Sequence, residues 1–229
     1  MKGKRTAWTF GSRVSPGGLF CLWLPCYQQT PQTAGIVIRT FTEVFPNAIA
    51  VRANLDPLQP VIGLIGAEAQ IPLSDAFLDA RLKSVAVPSP FFRSAETVRL
   101  LFVADLHSAE PDFSAFPLTT DDRPLFAYLG PRQPRGKERL FGFPLLDWIG
   151  RRALRPTYPS VALGTTPPAR LLACLRAGNF TYAAAAAELA VPCDTRPEAA
   201  RTRQVRDYLQ RAAELCPEAA ILSEARGRD

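Results

Sequence analysis

The run Gly17-Gly18-Leu19-Phe20-Cys21-Leu22-Trp23-Leu24-Pro25, continuing through Cys26-Tyr27-Gln28 to Thr30-Pro31, restricts the fold of this chain more than any other stretch. Its glycines mark a turn, the apolar residues Leu19 to Leu24 lack the polar alternation of a half-exposed strand, and Pro25 stops the run. Thr30 is placed to cap a helix with Pro31 at its first position. Val37, Phe41, Val44 and Phe45 then recur at helical spacing before Pro46-Asn47. The expectation is a strand–loop–helix unit of an α/β sheet, with Leu19–Leu24 as a central strand buried on both faces.

Elements beyond this unit should be short, because 22 prolines interrupt 229 residues. Ala48–Ala53 and Val61–Gly66 read as strands joined by the loop Asn54–Pro60, an antiparallel pair expected at the sheet edge. Pro72–Leu82 and Ser94–Leu106 read as short amphipathic helices, the second with Glu96 near its positive end. The polar loop Pro117–Pro124 leads into Leu125–Leu129, expected as a last strand. Over residues 133–164 the composition turns to bases, glycines and prolines, the pattern of a basic linker with one docking helix around Pro144–Ile149. Further helices are expected over Ala169–Ala177, Tyr182–Ala190 and Glu198–Leu215, with Gly178-Asn179 as a break. The domain division is thus a disordered start over 1–14, an α/β part over 15–132, the linker over 133–164 and a helical tail over 165–229.

The net charge of +6 is local: residues 1–14 carry +4 and residues 131–160 carry +5, which leaves −3 for the remainder. Charge confined to a tail and a linker does not point to a nucleic-acid partner. Five cysteines without a C-x-x-C pair, and His107 as the single histidine, argue against a metal site and a disulfide framework. Reduced thiols in a cytoplasmic protein are expected. No run approaches the roughly 18 apolar residues of a membrane span. Met1-Lys2-Gly3-Lys4-Arg5 is similar to the start of a secretory signal, but Pro16-Gly17-Gly18 breaks the sequence where the signal's apolar run would continue.

The block Pro16 to Gln28, the helix ending Phe45-Pro46-Asn47, the loop before Val61–Gly66, and Thr119-Thr120-Asp121-Asp122-Arg123-Pro124-Leu125-Phe126-Ala127-Tyr128-Leu129-Gly130-Pro131-Arg132 succeed one another in an order that resembles the second half of spermidine synthase-like proteins. The resemblance covers about residues 13–132. It is similar in particular to the bacterial branch fused to a membrane domain and trailed by helical repeats. The sequence around Ala177-Gly178-Asn179-Phe180, with Ala212-Ala213-Glu214-Leu215-Cys216-Pro217, resembles one tetratricopeptide-like unit, which needs a neighbour to stack on. The resemblance implies the C-terminal half of a methyltransferase-like Rossmann sheet, mixed and with an antiparallel edge, followed by a small all-helical segment. It also implies aminopropyl transfer from decarboxylated S-adenosylmethionine, as co-substrate, to a diamine or polyamine.

In such proteins the glycine-rich loop, the acidic residue that holds the nucleoside and the Asp-rich catalytic loop all precede the strand at Leu19–Leu24. This sequence has no G-x-G-x-G run, so no catalytic, cofactor-binding or metal-ligating residue is expected within it. The expectation is a truncated half, inactive alone, with a complementing N-terminal half or a homo-oligomer as its partner. The alternative is a non-catalytic interaction module that uses the half-sheet and the helical tail.

Trp23 and Tyr27 fall where a strand's C-terminal end faces the ligand crevice of an open sheet. An aromatic wall there could attract an alkylammonium group through its π face, and core or rim packing is the plainer role. Gln28 and Gln59 could hydrogen-bond an amine, against plain loop polarity. Asp56-Pro57 is expected as a turn, and Asp121-Asp122 as a loop bonded to its own backbone and to Arg123. His107 is expected to cap a helix end.

Overall fold

The computed structural model describes residues 14–84, 89–129, 139–153, 155, 157–189 and 197–220. The expectations placed on residues 1–13, on Gly130 to Arg132 and on Cys193 lie outside these residues. The fold is mixed α/β, with one four-stranded sheet in the order β1-β3-β2-β5. These strands are β1 (Phe20–Pro25), β2 (Asn47–Arg52), β3 (Val61–Ala67) and β5 (Phe102–Asp105), and β4 (Ile71–Pro72) pairs separately with β6 (Val161–Ala162).

Helix α1 (Pro31–Val44) forms as its sequence dictates. The Thr30 side chain accepts a hydrogen bond from the Thr33 backbone N–H, the Thr33 hydroxyl serves Thr30 in return, and Pro31 occupies the first turn. β3 runs antiparallel to both β1 and β2, with Leu22 opposite Leu64 and Leu64 opposite Ala50. β1 and β2 therefore point the same way, joined through α1, with β3 inserted between them as in a split β-α-β unit. β5 is antiparallel to β2, so every neighbour in the larger sheet is antiparallel. The parallel pairing lies in the small sheet of β4 and β6.

Two expectations about the sheet are overturned. Among the described residues β1 is an edge strand with a single neighbour, not a central one; Leu24 is buried, Phe20 and Leu22 are half-buried, and Cys21 and Trp23 are exposed. An unbroken apolar run is therefore no proof of burial on both faces. The β2–β3 pair, expected at the edge, is the interior of the sheet.

Phe20, Leu22 and Leu24 alternate onto the face that carries α1, where Phe20 stacks on Phe45 at 5.5 Å and Phe45 meets Phe41 at 4.8 Å. Gly66 makes room for this cluster, since a Cβ there would come within 2.4 Å of the Phe45 ring. On the opposite face the Trp23 ring lies over Gly63.

The remaining helices are α2 (Asp75–Leu82), α3 (Ala95–Leu100), α4 (Glu110–Phe113), α5 (Leu125–Leu129), α6 (Gly142–Ala153), α7 (Pro168–Glu188) and α8 (Glu198–Leu215). Ser74 and Ser94 cap α2 and α3. The helix expected over Ser94–Leu106 ends early, because the buried run Phe102 to Asp105 pairs with β2 instead. Leu125–Leu129, expected as a strand, is helix α5. The docking helix around Pro144–Ile149 is α6, whose Leu145, Trp148 and Ile149 enter the core, with Trp148 edge-on to Phe113 at 5.9 Å. β6, within the expected linker, is tied to the sheet by Asp105, which accepts from the Ser160 N–H at 2.7 Å and hydroxyl at 2.9 Å.

Gly178-Asn179 does not break a helix, since α7 runs unbroken through both residues. Arg52, buried at the end of β2, donates to the Asn179 side chain and lies 5.9 Å from the Tyr182 ring centre. Burial lowers its guanidinium to about 10. His107 does not close the helix of its own segment: its Nε2 lies 2.8 Å from the carbonyl of Phe45, the C-cap residue of α1, which ties the turn after β5 to the end of that helix.

Candidate functional site

A cavity of about 520 Å³ opens between β1 and α1, within the usual range for small-ligand sites. The β1 side chains Phe20, Leu22 and Leu24 form one wall, and Val37, Phe41, Val44 and Phe45 of α1 form the other. The helical spacing read in the sequence is therefore the spacing of the cavity wall. The loop Thr119–Pro124 closes one rim. It is held by the Thr119 N–H, which donates to Thr40 Oγ1 at 3.0 Å, while Thr40 in turn donates to the Ile36 carbonyl at 2.8 Å. The Thr120 and Arg123 backbones bond each other in both directions, so Asp121 sits at the tip of a tight turn.

Polar groups gather at the end of β1. Trp23 and Gln28 are among the residues that line the cavity, together with Gln29 and Asp121, while the Trp23 ring itself lies on the other face, over Gly63. Of the described residues that line it, Asp121 alone carries a charge. Tyr27 is half-buried and is not among the lining residues; its hydroxyl accepts from Gln28 Nε2 at 3.2 Å. Gln59 is not brought to this place: it is exposed in the β2–β3 loop and is not among the lining residues. The Gln59 N–H donates to Asp56 Oδ1, as does the Leu58 N–H at 2.8 Å, so Asp56 forms the expected turn.

Gln29 gave no signal in the sequence beyond its position after Gln28. It is 5% exposed, its backbone carbonyl accepts from the Leu140 N–H at 3.0 Å, and its Oε1 has no hydrogen-bond partner among the described residues. The cavity thus joins an apolar trough to two glutamine amides and one carboxylate. Such a lining suits an alkyl segment carrying a hydrogen-bond donor. Among the described residues, no cluster of three metal-ligating side chains occurs.

The second feature of the site is the backbone of β1 itself. The Cys26 N–H donates to the Pro60 carbonyl at 2.9 Å, which fixes the phase of the ladder. In an antiparallel pair alternate residues bond the neighbour, so Phe20, Leu22 and Leu24 face β3. Leu19, Cys21 and Trp23 direct their N–H and C=O groups away from the sheet. Leu19 is 56% exposed and Trp23 57% exposed, and no charged residue stands between Gly17 and Gln28. Natural edge strands are commonly protected by charge or cover, and this one has neither among the described residues.

No helix among the described residues is long and apolar enough to cross a membrane. No family model, curated protein or solved structure matches this chain.

Proposed function

We propose that this chain is a strand-accepting half-domain related to spermidine synthase-like proteins, which binds a second polypeptide along β1 and does not transfer an aminopropyl group by itself. The observation that carries this reading is the edge of β1, uncharged and uncovered among the described residues, above an apolar cavity. The split β-α-β arrangement of β1, α1 and β2 supports a sheet that continues past β1, in keeping with the C-terminal half of a methyltransferase-like Rossmann sheet. The occupant is then the nucleoside-binding half of such a fold, which brings the glycine-rich loop, the acidic residue for the nucleoside and decarboxylated S-adenosylmethionine. Tyr27 and Gln28 would stand on the amine side of the completed site, with the diamine's alkyl chain against the apolar wall, and the Trp23 ring would lie on the other face of the sheet, over Gly63. Strand addition suits this occupant because main-chain bonds supply the affinity and the alternate side chains of β1 supply the fit.

Titration calorimetry of the purified chain with methylthioadenosine and with decarboxylated S-adenosylmethionine tests the division of labour. Neither should bind more tightly than about 100 μM, some −5.5 kcal/mol. Tighter binding by the chain alone would overturn it.

A second reading is a non-catalytic module that pairs with another copy of itself. The neutrality of β1 favours it, since an uncharged strand can pair with its own two-fold copy without repulsion. Sedimentation separates the readings: a monomer at high concentration excludes self-pairing and leaves the first reading standing.

A further inference from the structure

The geometry points to a second chemical site, remote from the cavity: Cys174 and Cys216 form a redox-active thiol pair that hydrogen peroxide converts into a reversible disulfide between α7 and the end of α8.

Cys174 lies in the first half of α7 and Cys216 caps the C-terminus of α8. Their sulfurs are 3.7 Å apart, and the two residues are 2% and 3% exposed. A disulfide needs about 2.05 Å, so the side chains must close by roughly 1.7 Å. Cys174 sits on the buried face of α7, which is fixed against α3, so closure falls to the end of α8. In α8 only Ala212 is fully buried, and the rest of its grip on α7 includes the Phe180–Tyr208 stack at 6.1 Å and Arg211 over the Phe180 ring. Segments held by so few buried contacts open at low cost, which admits a small oxidant.

The surroundings suit thiolate chemistry. Arg99 is fully buried and donates to the Leu73 carbonyl through Nε at 3.1 Å and through a terminal nitrogen at 2.8 Å. It also pairs with Asp75 at 2.6 Å, and Arg170 pairs with Glu96. The hydrogen bond with Cys216, and then the charges of Arg99 and Arg170, hold the Cys174 thiol below its ordinary value. The contact with Cys174, burial and Glu218 push the Cys216 thiol up. One sulfur is thus prepared to attack while the other keeps its proton, the asymmetry of a nucleophilic and a resolving cysteine.

In the first step the Cys174 thiolate attacks one peroxide oxygen. The O–O bond breaks, an S–O bond forms, and hydroxide leaves to take up a proton. In the second step the Cys216 sulfur attacks the sulfenic sulfur of Cys174. The S–S bond forms, the S–O bond breaks, and the leaving hydroxyl departs as water with the Cys216 proton. Two electrons pass from the thiols to peroxide, and two waters result.

Treating the full chain with hydrogen peroxide, blocking free thiols and digesting with trypsin tests this assignment. Peptides 171–176 and 212–226 should appear linked, with the loss of two hydrogens, and dithiothreitol should separate them. The linked protein should melt about 5 °C higher than the reduced one. Cys216→Ser should leave Cys174 as a sulfenic acid that dimedone traps, and Cys174→Ser should leave Cys216 fully alkylatable. The wild-type linkage decides the matter even if a variant fails to fold. Full alkylation of Cys174 and Cys216 after the exposed Cys21 has oxidised would overturn the assignment, as would oxidation of the pair to sulfinic acids without linkage.

Discussion

Gly178 of α7 lies directly against the Leu100 carbonyl at the end of α3: a Cβ at residue 178 would stand 2.1 Å from that oxygen. The glycine is there for closeness between a helix and a backbone, and the same approach brings Arg52 within reach of Asn179. Gly178→Ala should therefore destabilise the protein by about 1–3 kcal/mol, although helix propensity alone would favour alanine by about 1 kcal/mol. Gly150 of α6 is the control, because nothing lies within 4 Å of a Cβ placed there. Gly150→Ala should stabilise by about 0.5–1 kcal/mol. Urea unfolding of both variants checks the pair.

The same glycine shows why part of the fold was not legible in the sequence. Gly178-Asn179 reads as a break, and only the neighbouring Leu100 backbone explains it as a contact within one helix. Local chemistry did place Thr30-Pro31 at the start of α1 and Glu198–Leu215 as α8, because caps and periodicity act within a few residues. The strand Phe102–Asp105 was hidden, since helical spacing continues through it and only pairing with β2 makes it extended. Of the residues that line the cavity, Trp23 and Gln28 are marked in the sequence by the end of an apolar run, which gives their place in the chain and not a role. Gln29 and the placement of Asp121 beside them depend on the docking of the Thr119 loop on Thr40, a contact 79 residues apart in sequence.

Arg99 holds the β4–α3 region through the Leu73 carbonyl and Asp75 while fully buried. Arg99→Ala should cost about 2–4 kcal/mol, since it empties a fully buried site and leaves the Leu73 carbonyl without its forked donor, while Asp75 keeps Arg170. Arg99→Lys should recover part of this loss but not the forked contact with Leu73. Thermal and chemical denaturation would measure both.

Asp75 and Asp105 should respond to acid in opposite directions. Burial works to raise the Asp75 carboxyl, but hydrogen bonds and charge from Arg99 outweigh it and lower the group below the ordinary range. Its contribution is present above the ordinary carboxylate pKa and is lost as pH falls through the lowered value. Burial raises Asp105 despite four bonds to its oxygens from Ser160, His107 and Ser108. Its contribution is full below the ordinary carboxylate pKa and declines as pH rises through the raised value. Unfolding measured across the acid range should show the deficit of Asp75→Asn shrinking on acidification and that of Asp105→Asn growing. Parallel curves would contradict the assignment.

Charges placed on the outward positions of β1 should act on association and leave the fold intact. Cys21→Lys changes an exposed side chain and should alter stability by no more than about 0.5 kcal/mol. On the self-pairing reading the wild-type chain should associate with rising concentration in sedimentation, and the variant should remain monomeric. Equal behaviour of the two would place any association elsewhere.

The open edge of β1 is tested most directly by residue-resolved amide exchange on the isolated chain at a concentration where it is monomeric. Leu22 and Leu24, bonded to β3, should exchange slowly, and Cys21 and Trp23, facing away from the sheet, should exchange within the dead time. Protection of Cys21 and Trp23 equal to that of Leu22 in a monomer would mean that the edge is already covered, and would contradict strand addition at this site.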